Sequence, residues 1–429
     1  MLSRQSRLQS RLWAYLCGLL LASTASLGAD ASATAEPASS RWVASWGSAQ
    51  QIPELHNELP AAQWRDASLR QIVHTSLGGQ QLRVRISNAF GSTGLVVEAA
   101  SVARAVAPGK ADIAEGTARA LTFSGKARVM IPAGAEYYSD PLALEHPPGA
   151  DLAVSLHFKG EPVRQTGHPG SRATSFVTPG NRVTDTAWPQ ASKVVHWYQL
   201  SDIEVLAPAH VGVVVAMGDS ITDGNGSTTD GNDRWPDLLA ARLREAGTPM
   251  GVVNAGIGGG RMLRDGLGPN MAARWDRDVL ARSGITHAVV LIGVNDLGGQ
   301  HRNGDDSPEA RQAMLDDLMN AHRQLVQRAH AQGICVIGAT MTAYMGSDYY
   351  RPNADNEADR QALNAWIRNS GTFDAVADFD AATRDAAQAH QLSKEADSGD
   401  RLHPSPAGFR AMAQAVPLAA LQKRCTAKL

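Results

Sequence analysis

The spacing of apolar residues changes character near the middle of the chain. Between residues 40 and 206 apolar and polar positions alternate in short runs separated by Gly, Pro and Asp. A first run at 42–46 is followed by others at 70–75, 81–87, 95–102, 128–131, 151–158, 173–177 and 193–205. In 81–87, Leu82, Val84 and Ile86 fall on one face and Arg83 and Arg85 on the other, which predicts a half-buried antiparallel strand. No long helical period interrupts these runs, so they predict an all-β, jelly-roll-like sandwich.

From Ala207-Pro208 onward, apolar runs take turns with helical spacing, the rhythm of βαβ units around a parallel sheet. Strands are predicted at 211–217, 250–254, 286–293, 334–339 and 375–379. Helices are predicted at 234–246, 272–282, 307–332, 356–369 and from 405 to about 422. The run 211–217 lacks alternation, as expected of a parallel strand covered on both faces. Ser307-Pro308 suits the start of the longest helix. The fold class is therefore α/β, preceded by the sandwich.

The first thirty residues stand apart. Arg4, Arg7 and Arg11 precede an apolar stretch at 12–27, and small residues follow, which is the layout of a cleaved secretory signal peptide. Residues 1–33 are assigned to signal peptide and linker, 40–206 to the sandwich and 207–429 to the α/β domain. The expected location is secreted or periplasmic, with no stable membrane insertion after cleavage. Of the 429 residues, 43% are hydrophobic and 19% charged, which is globular rather than disordered composition. The formal net charge is −2, and no basic cluster recurs with interleaved aromatics, so no nucleic-acid partner is indicated. Cys335 and Cys425 are too few for a disulfide framework, and one bridge between them stays open. Nothing in the sequence speaks to oligomeric state.

Candidate chemistry gathers at the predicted strand ends. The first strand stops at Gly218-Asp219-Ser220. Ligands bind at the carboxyl ends of strands in open α/β sheets, so a hydroxyl there is a candidate nucleophile. Taken alone, Asp219 and Ser220 read first as a helix cap. The second strand leads into Gly256-Ile257-Gly258-Gly259-Gly260, and the third into Gly293-Val294-Asn295-Asp296. The loop before the last helix carries Asp400-Arg401-Leu402-His403.

These four blocks, in this order and on these elements, resemble the SGNH, or GDSL, hydrolase family over roughly residues 211–421. The resemblance implies a three-layer domain with a flavodoxin-like parallel sheet and a serine esterase that uses no cofactor and no metal. It makes Ser220 the nucleophile, His403 the general base and Asp400 the group that orients the histidine. It assigns the oxyanion hole to the backbone N–H groups of Ser220 and Gly259 and the side-chain amide of Asn295. The chemistry agrees: a serine hydroxyl needs a base in reach, the base needs a partner that fixes its tautomer, and the oxyanion needs donors already in place. Asp219 and Asp296 are assigned to bracing the turns. The expected partner is a small-molecule or polysaccharide ester, first an acetyl ester on carbohydrate. The alternatives are short-chain aryl esters, or a non-catalytic polysaccharide-binding role.

Several other patterns compete and fall short. The run 256–261 has Arg261 where a dinucleotide fingerprint needs its third glycine. The run from Asp223 to Asp230 begins like a calcium loop, but Thr228 and Arg234 occupy the glycine and glutamate positions. His74, His157 and His196 lie in strand-like runs without ligand spacing and read as hydrogen-bonded strand residues. No Gly-x-Ser-x-Gly elbow occurs. Tyr344, Tyr349, Tyr350 and Arg351 follow the fourth strand, where they either line a substrate site or pack against the sandwich. Arg261 and Arg264 either touch substrate, or are solvated or pair with a nearby acid.

Overall fold

The structure, a computed structural model, describes residues 39–426; the expected signal peptide lies outside the described residues. In chain order the strands of the N-terminal half are β1 (Ser40–Gly47), β2 (Ala67–His74), β3 (Gly79–Ser87), β4 (Leu95–Val97), β5 (Ala99–Arg104), β6 (Arg119–Ala120), β7 (Val129–Ile131), β8 (Glu136–Tyr138), β9 (Leu142–His146), β10 (Asp151–Phe158), β11 (Gly167–His168), β12 (Ser175–Pro179), β13 (Ser192–Val194), β14 (Trp197–Tyr198) and β15 (Leu200–Pro208). One sheet runs β1-β15-β3-β8 with β9 also on β3, and a second runs β13-β12-β2-β10-β5-β6. Every pairing in both is antiparallel. Leu82, Val84 and Ile86 of the first sheet share one core with Leu69, Val73, Leu152 and Val154 of the second.

Two expectations change here. The run 95–102 is two strands, parted at Glu98, because β4 pairs with β7 while β5 pairs with β10. The run 193–205 likewise divides into β13, β14 and β15, and Gln199, in the left-handed region at φ 58°, turns the chain between the last two. The half-burial read from alternation is also incomplete. The second sheet is covered on its outer face as well, where Ile72, Ala103 and Ala153 pack with Ile113, Phe176 and Trp188. On β3, Arg85 is buried, because its guanidinium meets Asp202 at 2.7 Å.

The second half contains β16 (Gly212–Gly218), α1 (Ser220–Asp223), α2 (Trp235–Glu245), β17 (Met250–Gly256), α3 (Met271–Trp275), β18 (Ile285–Leu291), α4 (Val294–Arg302), α5 (Pro308–His330), β19 (Cys335–Ala339), α6 (Ala354–Asn369), β20 (Ala375–Ala377), α7 (Phe379–Thr383), α8 (Pro406–Ala415) and α9 (Leu418–Leu421). A π-helical turn at Asp276–Leu280 continues α3. The sheet order is β17-β16-β18-β19-β20 with all pairs parallel, which is the flavodoxin-like arrangement. Gly218 is in register with both Gly256 and Leu291, so the central strand and its two neighbours end side by side. The expected last helix is broken in two. Pro417 lacks an N–H and forces Val416 into extended backbone, which stops α8.

The two halves share one compact unit and one continuous core. The edge strand β17 would otherwise present unpaired backbone groups. Here Val252 N donates to Ser76 Oγ at 2.9 Å, and a Cβ at Gly251 would stand 2.1 Å from Ala44 O. Arg282, following the π turn, reaches Asp202 at 2.7 Å and so joins the buried Arg85 pair from the other half. Buried charges in such a cluster destabilise unless each is paired. No helix among the described residues is long and apolar enough to cross a membrane.

Cys335, at the start of β19, is bonded to Cys425 beyond α9, which ties the C-terminal tail to the sheet. The bridge closes a loop of 90 residues, so its loss through Cys425→Ser is expected to destabilise by roughly 4–5 kcal/mol on loop entropy. Denaturant melts of this variant beside the wild type measure the difference; coincident midpoints would contradict it.

Candidate active site

Ser220 owes its place to the apolar strand beneath it. Val213 to Met217 of β16 are fully buried, and the chain turns sharply at Gly218, where a Cβ would come within 2.0 Å of Thr222 Oγ1. Asp219 then caps α1, its carboxylate accepting from Ile221 N at 2.9 Å. The capping reading therefore holds for Asp219, while Ser220, the first helical residue, keeps its hydroxyl free for other work.

The Ser220 hydroxyl donates to His403 Nε2 at 2.8 Å. On the other side of the ring, His403 Nδ1 lies 2.6 Å from Asp400 Oδ2. A carboxylate only accepts, so Nδ1 carries the proton and Nε2 is left to take one from serine. Asp400 is itself fastened, since Oδ1 accepts from His403 N at 2.8 Å and Leu402 N at 3.0 Å. Burial works against its ionisation, but the hydrogen bonds from the His403 ring and backbone hold it well below the usual carboxylate range. His403 is fixed just ahead of α8, whose N-cap is Ser405 and whose first residue is Pro406.

Candidate donors for an oxyanion lie at the neighbouring strand ends. Gly259 sits at φ 65°, a conformation that favours glycine, in a turn closed by Gly260 N donating to Ile257 O at 2.9 Å. Neither Ser220 N nor Gly259 N has a partner among the described residues. Asn295 lies on the first turn of α4 rather than in a strand. Its Nδ2 donates one hydrogen to Gly260 O at 2.8 Å and keeps a second. Tyr350 OH donates to Asn295 Oδ1, which fixes which end of the amide is the donor. Burial raises the Tyr350 hydroxyl above its ordinary range, so the phenol stays a donor. Ser220, Gly259 and Asn295 line one cleft of about 770 Å3 together with Asp400 and His403.

Buried carboxyls brace these turns. Asp296 accepts from Met262 N at 2.9 Å and Leu263 N at 3.2 Å, which ties the stretch after the glycine turn to α4. Burial pushes Asp296 up to about 6 and Asp219 up to about 7. Beneath the serine turn, Arg274 spans two strand ends, with Nη2 on Gly218 O at 2.9 Å and Nη1 on Ala255 O at 2.7 Å.

Ser220, His403, Asp400, Gly259 and Asn295 are thus brought together. Of the tyrosines, Tyr349 and Tyr350 line the cleft, whereas Tyr344 packs edge-on against Tyr350 from the core. Arg351, Arg261 and Arg264 do not line it; the two arginines after the glycine turn act on Asp296 through charge. His74, His157 and His196 have separate partners in Asp151, Asp66 and Pro169 O. The acids of the calcium-like loop are spent within the chain, Asp223 on His168 and Gly258 N, and Asp230 on Thr174.

Two contacts at the site went unread: the support that Tyr350 gives Asn295, and Asn225 altogether. For Tyr350 the signal was Gly298, where a Cβ would fall 2.6 Å from the tyrosine ring; only glycine lets the ring reach Asn295. The other is Asn225, whose Nδ2 is 3.1 Å from His403 Nδ1 and 3.2 Å from Nε2. A point that close to both nitrogens would overlap Cε1 if it lay in the ring plane, so the amide sits over the ring face. No sequence signal marked it.

Residues 216–411 match the model of the GDSL-like Lipase/Acylhydrolase family. No curated protein matches the chain. Among solved structures, a GDSL-like lipase from Bacteroides thetaiotaomicron is 19% identical, with 49% of this chain and 87% of that one covered and a TM-score of 0.36. Axe2, an acetylxylan esterase from Geobacillus stearothermophilus, is 22% identical, with 49% and 94% covered and a TM-score of 0.36.

The raised Asp219 carboxyl gives a stability test. Its folded value, about 7, exceeds the ordinary 3.8, so it favours the fold while protonated, and that contribution is lost as the pH climbs toward about 7. Asp219→Asn keeps an oxygen for the cap and cannot ionise. Its melting temperature relative to wild type is expected to rise between about pH 5 and about pH 8; a difference that stays flat or falls would contradict the assignment.

Proposed function

We propose that this protein, in which residues 216–411 form a GDSL-like lipase/acylhydrolase domain, is a secreted serine esterase that removes acetyl groups from carbohydrate through an acyl-Ser220 intermediate. The hydrogen-bonded chain from Ser220 Oγ through His403 to Asp400 carries the reading.

In the reaction, Ser220 Oγ attacks the ester carbonyl as His403 Nε2 takes its proton. The oxyanion forms against Ser220 N, Gly259 N and the free hydrogen of Asn295 Nδ2, donors of a kind worth about 3–4 kcal/mol each when removed. His403 returns the proton to the leaving alcohol and then draws one from the water that releases the acid. Asp400, held as a carboxylate, stabilises the imidazolium formed between these transfers.

Carbohydrate as the leaving side is supported by Tyr349, 58% exposed at the cleft with Arg302 stacked at 4.4 Å on its ring, a platform for a sugar face. A second reading, short-chain aryl esters, draws on Leu267, which is 54% exposed and lines the same cleft. Export is supported by the arginines at 4, 7 and 11 ahead of an apolar stretch, and by the Cys335–Cys425 bridge, since such bonds persist in oxidising compartments.

The test is acetate release from acetylated xylan, beside p-nitrophenyl esters of increasing chain length, by wild type and Ser220→Ala. The variant is expected to lose turnover by roughly 10⁴-fold or more. Equal rates in the two proteins would remove the serine mechanism, and retained glycan binding with no turnover in either would leave only a binding role.

A further inference from the structure

The strand-rich half sends one short segment into the catalytic region. Residues 167–172 run from β11, which is paired to β14 through Gly167↔Tyr198 and His168↔Trp197, toward the turn that follows Ser220. The His168 ring stacks on Trp197, with centroids 5.7 Å apart. Its Nδ1 donates to Ala49 O at 2.8 Å and its Nε2 meets Asp223 Oδ1 at 2.8 Å. Asp223 Oδ2 in turn accepts from Gly258 N at 3.1 Å, next to the oxyanion-hole glycine. The approach is close: a Cβ at Gly170 would lie 1.9 Å from Asp223 Oδ2.

Arg172 ends this segment in the left-handed region at φ 48°, with its carbonyl accepting from Asp230 N at 2.9 Å. Its Nη2 donates to Asn225 Oδ1 at 3.0 Å, the one side-chain hydrogen bond it makes among the described residues. Arginine has no acceptor, so this bond decides the orientation of the Asn225 amide: oxygen toward Arg172, N–H edge toward the His403 ring face. Asn225 is anchored as well, its backbone N donating to Ser220 O at 2.8 Å. Both Arg172 and Asn225 line the catalytic cleft.

We propose that segment 167–172 of the strand-rich half is a built-in part of the active site, in which Arg172 is a positioning residue that steadies the His403 imidazole through Asn225. This rests on the esterase reading above. The ring has two in-plane partners, Asp400 and Ser220, but the second becomes a weaker acceptor once the serine proton has moved to Nε2 and Oγ has bonded to carbon. From then until the proton reaches the leaving oxygen, Asp400 is the stronger hold on the ring in plane, and torsion about its bonds to the backbone is opposed by the amide packed on its face. His168 does the matching service for the oxyanion turn through Asp223. The role is orientation, so it should appear in turnover rather than in substrate affinity.

The experiment compares wild type with Arg172→Met, Arg172→Lys, Asn225→Ala and the Arg172→Met/Asn225→Ala pair. Each is assayed on p-nitrophenyl acetate and by its rate of labelling with an organophosphonate, after melting curves have checked folding. Arg172→Met is expected to lose about 10- to 100-fold in kcat, the scale of a small misplacement, with KM within about twofold and labelling slowed in parallel. Arg172→Lys, which can still donate to Asn225 Oδ1, should recover most of that loss. The pair should be no slower than the slower single variant, because both act through one chain of contacts. Wild-type kcat in Arg172→Met, a loss carried by KM alone, or additive losses in the pair would overturn the proposal. A wild type that neither turns over nor labels would overturn the esterase reading itself.

Discussion

Where a parallel sheet stops, its last peptide groups lose their ladder partners, and leaving such a group buried and unpaired costs about 1–3 kcal/mol. The architecture around Ser220 follows from meeting that demand with side chains. Arg274 takes the carbonyls of Gly218 and Ala255, Asn295 takes that of Gly260, Asp223 takes the Gly258 N–H, and Asp296 takes those of Met262 and Leu263. Each bond crosses from one strand end or loop to another, so satisfying the backbone also sets the distances between the candidate catalytic groups. Ser220 N and Gly259 N are left out of this pairing, and both residues line the cleft. The two unpaired N–H groups thus stand among backbone groups whose partners are supplied by side chains.

The same logic explains why the two halves form one body. The parallel sheet has an edge at β17, and the strand-rich half covers it with Ser76 and the backbone of Ala44. The charges that follow from this fit are shared: Asp202 of β15 is held between Arg85 of its own half and Arg282 of the other. Joined this closely, the strand-rich half can hold Arg172 against the cleft in a fixed position.

Much of this was legible in the sequence, for a definite reason. Strands of a covered parallel sheet are unbroken apolar runs, so β16 to β20 announced themselves, and the motifs at their carboxyl ends carried the family resemblance that implied roles for Ser220, Gly259 and Asn295. The same resemblance implied the loop pair Asp400 and His403, which position ahead of the last helix alone would have left as polar loop residues. What stayed hidden depends on approach through space. Gly298 and Gly299 weakened the helical signal of α4, although Gly298 is there to admit the Tyr350 ring. Alternation in β3 marked Arg85 as solvent-facing, because periodicity records side-chain type and not the partner waiting in another strand. Asn225 carries no pattern at all; its meaning lies in the ring below it and the arginine beyond it.

The central claim is that one serine, one imidazole and three N–H donors from separate segments act on a single carbonyl. The direct measurement is a crystal structure of the protein after reaction with an organophosphonate. The expected result is a phosphorus bonded to Ser220 Oγ, with one phosphoryl oxygen within about 2.7–3.1 Å of Ser220 N, Gly259 N and Asn295 Nδ2. A label on another residue, or a phosphoryl oxygen turned away from all three donors, would contradict it.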